Sequence, residues 1–152
     1  AGDANLGAVF GKVVRHDRPF VLDGLSGRRN LRHKLTTALG GGRIDDGRPA
    51  WPRFVAHGHG AALLLRVPAA LAAGGFDRAL LAYHEEVDLC WRLARAHYGV
   101  ALEPRATVRH VGPTGDARRE TAKHYLLARN SLLVAAKNGG PWARRPRAAR
   151  GG

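Results

Sequence analysis

Strand-like and helix-like patterns alternate along the 152 residues, which predicts an α/β fold. Two observations carry this. The segment "LGAVFGKVVRH" (Leu6 to His16) sets β-branched and apolar residues in near alternation, the signature of a strand. Further on, strand patterns are interrupted by apolar stretches with helical spacing and clear stop signals. Hydrophobic residues make up 45% of the chain, and no run approaches the roughly 20 apolar residues a membrane span needs, so it reads as one soluble domain with a real core.

The first strand is followed by a long polar region from Asp17 to Pro52, where "DGLSGRRN" and "GGGRIDDGRP" are turn and loop chemistry around one short helix expected at Leu31 to Leu39. "FVAHGHGAALLLRV" (Phe54 to Val67) then predicts a buried strand. Pro68 suits the first turn of the next helix, "PAALAAGG", and Gly74 and Gly75 end it. A second helix is expected from Glu85 to Ala96, with Val87, Cys90, Trp91 and Ala94 on its apolar face and Arg92 and Arg95 opposite. "GVALEP" and "ATVRHVG" read as two short strands joined through Pro104. A long amphipathic helix from Asp116 to Asn138 follows, stopped by Gly139, Gly140 and Pro141. The domain reading is therefore residues 1–140, with residues 141–152 a basic, disordered tail.

The single cysteine, Cys90, lies between Leu89 and Trp91, which excludes an internal disulfide and points to a buried thiol. No export signal is legible at the N-terminus. A net charge of +13, from 25 Lys and Arg against 12 Asp and Glu, favours anionic partners such as nucleic acid, nucleotide phosphates or an acidic membrane surface, although Arg-rich usage is also what a GC-rich genome produces. The chain carries no recognised nucleic-acid-binding motif.

Against that charge, Glu85, Glu86 and Asp88 crowd into four positions of "AYHEEVDLCWRLARAHYGV". Acids in a first helical turn complement the helix dipole, and Asp88 can pair with Arg92 four residues on, so a structural role suffices for the stretch alone. A functional role is open as well. Glu86 is turned about 100° from Glu85 on a helix and can face a cleft at the helix start, where a lone carboxylate suits a general base.

The wider segment "GGFDRALLAYHEEVDLCWRLARAHYGVALEPRATVRHVG" (Gly74 to Gly112) resembles the C-terminal half of a rhamnosyltransferase-like family 2 glycosyltransferase: a Gly-Gly-Phe-Asp turn, an acidic cluster with a following Arg, and a later His in the same order. "GHGAALLLR" upstream and "RNSLLVAAKN" downstream extend the likeness over Leu6 to Asn138. The resemblance implies the C-terminal portion of a GT-A fold, a mixed sheet with flanking helices, whose N-terminal nucleotide-binding half would precede Leu6. It implies inverting sugar transfer from a nucleoside-diphosphate sugar to a hydroxyl of a glycan or lipid-linked acceptor, for cell-surface polysaccharide or glycoconjugate synthesis. It also implies a divalent cation, Mg2+ or Mn2+, and a cytoplasmic setting, with peripheral contact at the inner face of the plasma membrane. Carried over position by position, Glu86 is the base and His110 the residue near the metal. Asp77, Glu85 and Asp88 shape the acceptor side. Arg129 faces the diphosphate or, alternatively, snorkels from its helix.

Two departures stand out. Glu86 occupies a position where the family usually has Asp, which moves the carboxylate by about 1 Å. His97 replaces a helix-ending Gly, and so must adopt or avoid a left-handed backbone. His57 and His59 in "AHGHG" share a strand face and could suit a metal; alternatively His59 and Gly60 line the donor cleft. The rival reading from another class is a small basic module that binds nucleic acid or an anionic surface without catalysis. It explains the charge but not the acidic cluster, and the missing motif makes nucleic acid an unexpected partner.

Overall fold

The computed structural model describes residues 5–29, 36–47, 54–112 and 117–138. Its elements are β1 (Leu6–Arg15), β2 (Leu22–Gly24), β3 (Ser26–Arg29), β4 (Thr36–Leu39), β5 (His57–Gly58), a 3-10 turn (Gly60–Ala62), β6 (Leu63–Leu65), α1 (Val67–Ala72), α2 (Glu85–Arg95), β7 (Gly99–His110) and α3 (Ala117–Asn138). The architecture is α/β, a mixed sheet with flanking helices.

β1 is the axis. β7 runs parallel to it for its whole length, from Leu6 opposite Gly99 to Arg15 opposite His110. The opposite edge of β1 is shared by two antiparallel strands, β6 near its start (Ala8 opposite Leu65) and β2 near its end (Val13 opposite Gly24). Ala8, Phe10, Val13 and Val14 are all buried, so both faces of β1 are covered, as befits the central strand of such a fold.

The two strands expected around Pro104 are one. Between Gly11 opposite Glu103 and Lys12 opposite Thr107, β7 carries three extra residues, Pro104 to Ala106, as a bulge that absorbs the missing proline N–H. Gly11 makes room for it: a Cβ there would stand 2.8 Å from the Ala106 carbonyl oxygen.

The polar region from Asp17 to Pro52 also differs from expectation. It contains β2, β3 and β4, and β3 pairs antiparallel with β4 on one side and β5 on the other to make a second, three-stranded sheet. The helix expected at Leu31 to Leu39 is a strand over Thr36–Leu39, and residues 31–35 lie outside the described residues. "TTAL" is rich in β-branched residues, and backbone pairing with β3 overrides its weak helical spacing. The single strand expected over Phe54 to Val67 is broken into β5, the 3-10 turn and β6. The His59 side chain accepts a hydrogen bond from the Ala61 N–H there, capping the turn.

α1 ends as expected, with Gly74 and Gly75 at φ 87° and 64° and the Gly75 N–H bonded to the Ala70 carbonyl at 2.8 Å. α2 buries a broader arc than its spacing suggested. Leu89, Cys90 and Leu93 pack into the sheet with Phe10, Val14, Val100 and Leu102, while Val87 and Trp91 meet Leu80 and Val134 of α3. Ala94, expected on the buried face, is exposed, and Leu93 takes that role. Each fully buried leucine stabilises the fold by roughly 2–3 kcal/mol. The helix is thus pinned between two layers, which fixes the direction of its first turn. The tail, residues 141–152, lies outside the described residues.

Candidate functional site

The parallel register of β1 and β7 brings His110 to the same end of the sheet as Asp23 on β2, although the two are 87 residues apart. His110 Nδ1 stands 2.6 Å from Asp23 Oδ2, and since a carboxylate only accepts, the imidazole donates from Nδ1. His59 Nε2 lies 3.8 Å from the same oxygen, and the two imidazole rings meet edge to face with centroids 5.1 Å apart. Gly24 leaves space for this: a Cβ would stand 2.8 Å from His59 Cδ2. One potential ligand atom from each of Asp23, His59 and His110 falls within 4.8 Å of the other two, so the three residues can hold a metal ion. Burial, above all, lowers the His59 pKa; Asp23 opposes this and His110 adds to it, keeping the ring neutral at neutral pH.

Glu86 approaches the same turn at Gly60. Its carboxyl carbon is 3.9 Å from where a Cβ on Gly60 would stand, next in the chain to His59. Burial, and then the neighbouring Glu85 carboxylate, raises the Glu86 pKa to about 7. A carboxyl poised there is half ionised near neutrality and can accept a proton.

The segment that leads into α2 is strained. Leu81, Tyr83 and His84 all have left-handed backbones, φ 61°, 67° and 68°. Fully buried Asn130 of α3 holds it, its Nδ2 within 2.8 Å of the carbonyls of Leu80, Ala82 and Tyr83. Arg129 donates to the carbonyls of Ala79 and Leu80 at 2.8 and 3.2 Å. His84 Nε2 bonds to Ser131 Oγ at 3.1 Å, whose own proton goes to the Leu127 carbonyl. α3 therefore acts as the clamp that aims the first turn of α2.

Of the residues singled out by sequence, His59 and His110 come together, and Glu86 stands against Gly60, next in the chain to His59. Asp88 belongs to the scaffold: fully buried, it accepts hydrogen bonds from Asn138 at 2.8 Å, Arg92 at 2.9 Å and Lys137 at 3.2 Å. Burial alone would raise its pKa, but these donors outweigh it and the pKa is lowered. Arg92, assigned to the outer face of α2, also donates to the carbonyls of Ala73 and Gly75, tying α2 to the end of α1. Asp77 caps the Ala79 N–H at 2.9 Å and pairs with Lys137. Glu85 leaves its Oε2 buried with no hydrogen-bond partner, next to Glu86 in the chain. Arg129 spends its guanidinium on the clamp. The Cys90 thiol is buried, with its pKa raised chiefly by desolvation, and is inert.

Asp23 was missed. It sits in "VLDGL", a stretch that reads as turn chemistry, and its one local signal is a lone acid directly after two apolar residues. Among the described residues no helix is long and apolar enough to cross a membrane. No known protein family model matches the chain, and no curated protein matches its sequence.

Proposed function

We propose that the chain is the acceptor-side, catalytic portion of an inverting family 2 glycosyltransferase of GT-A type, with Glu86 as general base. The observation that carries this reading is Glu86 itself. At the position that the resemblance makes the base, it stands against Gly60, next in the chain to His59 of the Asp23–His59–His110 cluster, with a pKa of about 7. An acceptor hydroxyl is a poor nucleophile until its proton is withdrawn, and Glu86 takes that proton as the sugar carbon is attacked. Burial keeps the carboxyl basic enough for the task, and the clamp from Asn130 and Arg129 keeps it aimed.

The cation implied by the resemblance would be held by His110 with Asp23 and His59, and it would supply positive charge for the departing diphosphate. The donor is a nucleoside-diphosphate sugar and the acceptor a glycan or lipid-linked hydroxyl, in a cytoplasmic reaction at the inner membrane face. With a nucleotide-binding half and both substrates supplied, Glu86→Gln is expected to cut sugar transfer by roughly 100-fold or more without loss of cooperative folding. Near-normal turnover would refute the assignment of the base.

A further inference from the structure

The donor set at the end of the sheet is chemically selective. Asp23 offers one carboxylate oxygen, while His59 and His110 each offer an imidazole nitrogen, all within 4.8 Å of one another. Mg2+ and Ca2+ are hard cations that take oxygen ligands, and Mg2+ gives up its water reluctantly. Imidazole suits Zn2+ and the later first-row ions, and affinity for a mixed nitrogen and oxygen site rises along the first transition row from Mn2+, the weakest, through Co2+. Two imidazoles and one carboxylate thus favour Mn2+ over Mg2+ within the expectation from the resemblance, and Co2+ or Zn2+ over both.

The site is also built rather than fortuitous. Its ligands come from three separate segments, β2, the cap of the 3-10 turn and the last residue of β7, and the pairing of β1 with β2 and β7 fixes two of them. Asp23 Oδ2 is the common neighbour of both rings, at 2.6 and 3.8 Å. We propose that Asp23, His59 and His110 form a transition-metal site that takes Zn2+, Co2+ or Mn2+ in preference to Mg2+ and Ca2+, with further coordination positions left for oxygen ligands. It rests on the reading of this cluster as a cation site and on no step of sugar transfer.

Ligation has a local consequence. His59 Nδ1 accepts a hydrogen bond from the Ala61 N–H at 3.2 Å, so the proton of the neutral ring sits on Nε2, facing Asp23. A metal at Nε2 moves that proton to Nδ1, and the Ala61 amide loses its acceptor. The Ala61 amide resonance therefore reports occupancy of this site and not of a surface histidine.

The test is calorimetric titration of the full chain with ZnCl2, CoCl2, MnCl2 and MgCl2 in turn, with the Ala61 amide followed by NMR during the Zn2+ titration. One equivalent of Zn2+ or Co2+ is expected to bind at least about 100-fold more tightly than Mg2+. The Ala61 resonance is expected to shift in step, and His59→Ala or His110→Ala to weaken Zn2+ binding by at least about tenfold. Replacing exposed His124 by Ala is expected to change nothing. Asp23→Asn keeps the side-chain shape and serves if either alanine variant fails to fold; its unchanged Zn2+ affinity would overturn the proposal. Mg2+ affinity within tenfold of Zn2+, with the variants still impaired, would overturn the selectivity and leave the cation site. Zn2+ binding that ignores every one of these substitutions would overturn the site itself, leaving the transferase reading to its own assay.

Discussion

Burial and the adjacent Glu85 carboxylate lift the Glu86 pKa from 4.5 to about 7, so the folded protein holds a proton that the unfolded chain releases within that window. The resulting contribution to stability is complete below about pH 4.5 and is lost as pH rises through about 7. Glu86→Gln, which cannot ionise, is therefore expected to be more stable than wild type above pH 7, by on the order of 2 kcal/mol, and no more stable at pH 4. Thermal melts at the two pH values check this, and equal differences at both would show that the carboxyl ionises freely. At this scale much of the site was legible. Glu86, His59, Gly60 and His110 each stood out by residue type and neighbours. Asp23 did not, because its meaning lies in a contact across 87 residues that only strand register creates. Asp88 was legible as a scaffold through its spacing to Arg92, but its bonds to Asn138 and Lys137 needed α3 folded back against α2.

Between elements, the connections carry the strain that the sequence marks. His97 follows α2 in a left-handed conformation, φ 64°, with its N–H bonded to the Ala94 carbonyl at 3.2 Å. Glycine takes that backbone without penalty, so His97→Gly is expected to stabilise the fold by about 1 kcal/mol in chemical denaturation, and a loss of stability would contradict the strain. The loop before α2 depends instead on its clamp. Asn130→Ala removes the donor shared by three carbonyls in the 80–83 segment and is expected to destabilise by roughly 2–3 kcal/mol. Amide exchange should rise first in residues 80–84, and uniform loss of protection would argue against a local clamp. β1 and α2, with their apolar periodicity, and α3, with its Gly-Gly-Pro stop, were legible from sequence to within a residue or so. β3 and β4 were not, since "SGRR" and "TTAL" have no apolar alternation and become strands through backbone pairing with each other. β7 read as two strands because proline signals a break, whereas the fold absorbs it as a bulge opposite Gly11.

At the scale of the molecule, most of the scarce acids among the described residues serve two ends. Asp17, Asp45, Asp77, Asp88 and Glu103 sit in ion pairs that fasten turns and helices, while Asp23 and Glu86 lie at the candidate site. The central strand and its neighbours present the two histidines and Asp23 at one end, and α2, clamped by α3, brings Glu86 against the turn that begins at His59. Neither half of that arrangement exists in any single element. Sugar transfer followed across pH, with a nucleotide-binding half supplied, is the most direct measurement. The expected rate rises through about pH 7 as Glu86 loses its proton, and Glu86→Gln lowers it by roughly 100-fold or more and removes that limb. A glutamine variant that turns over at the wild-type rate with the same pH profile would contradict Glu86 as the base.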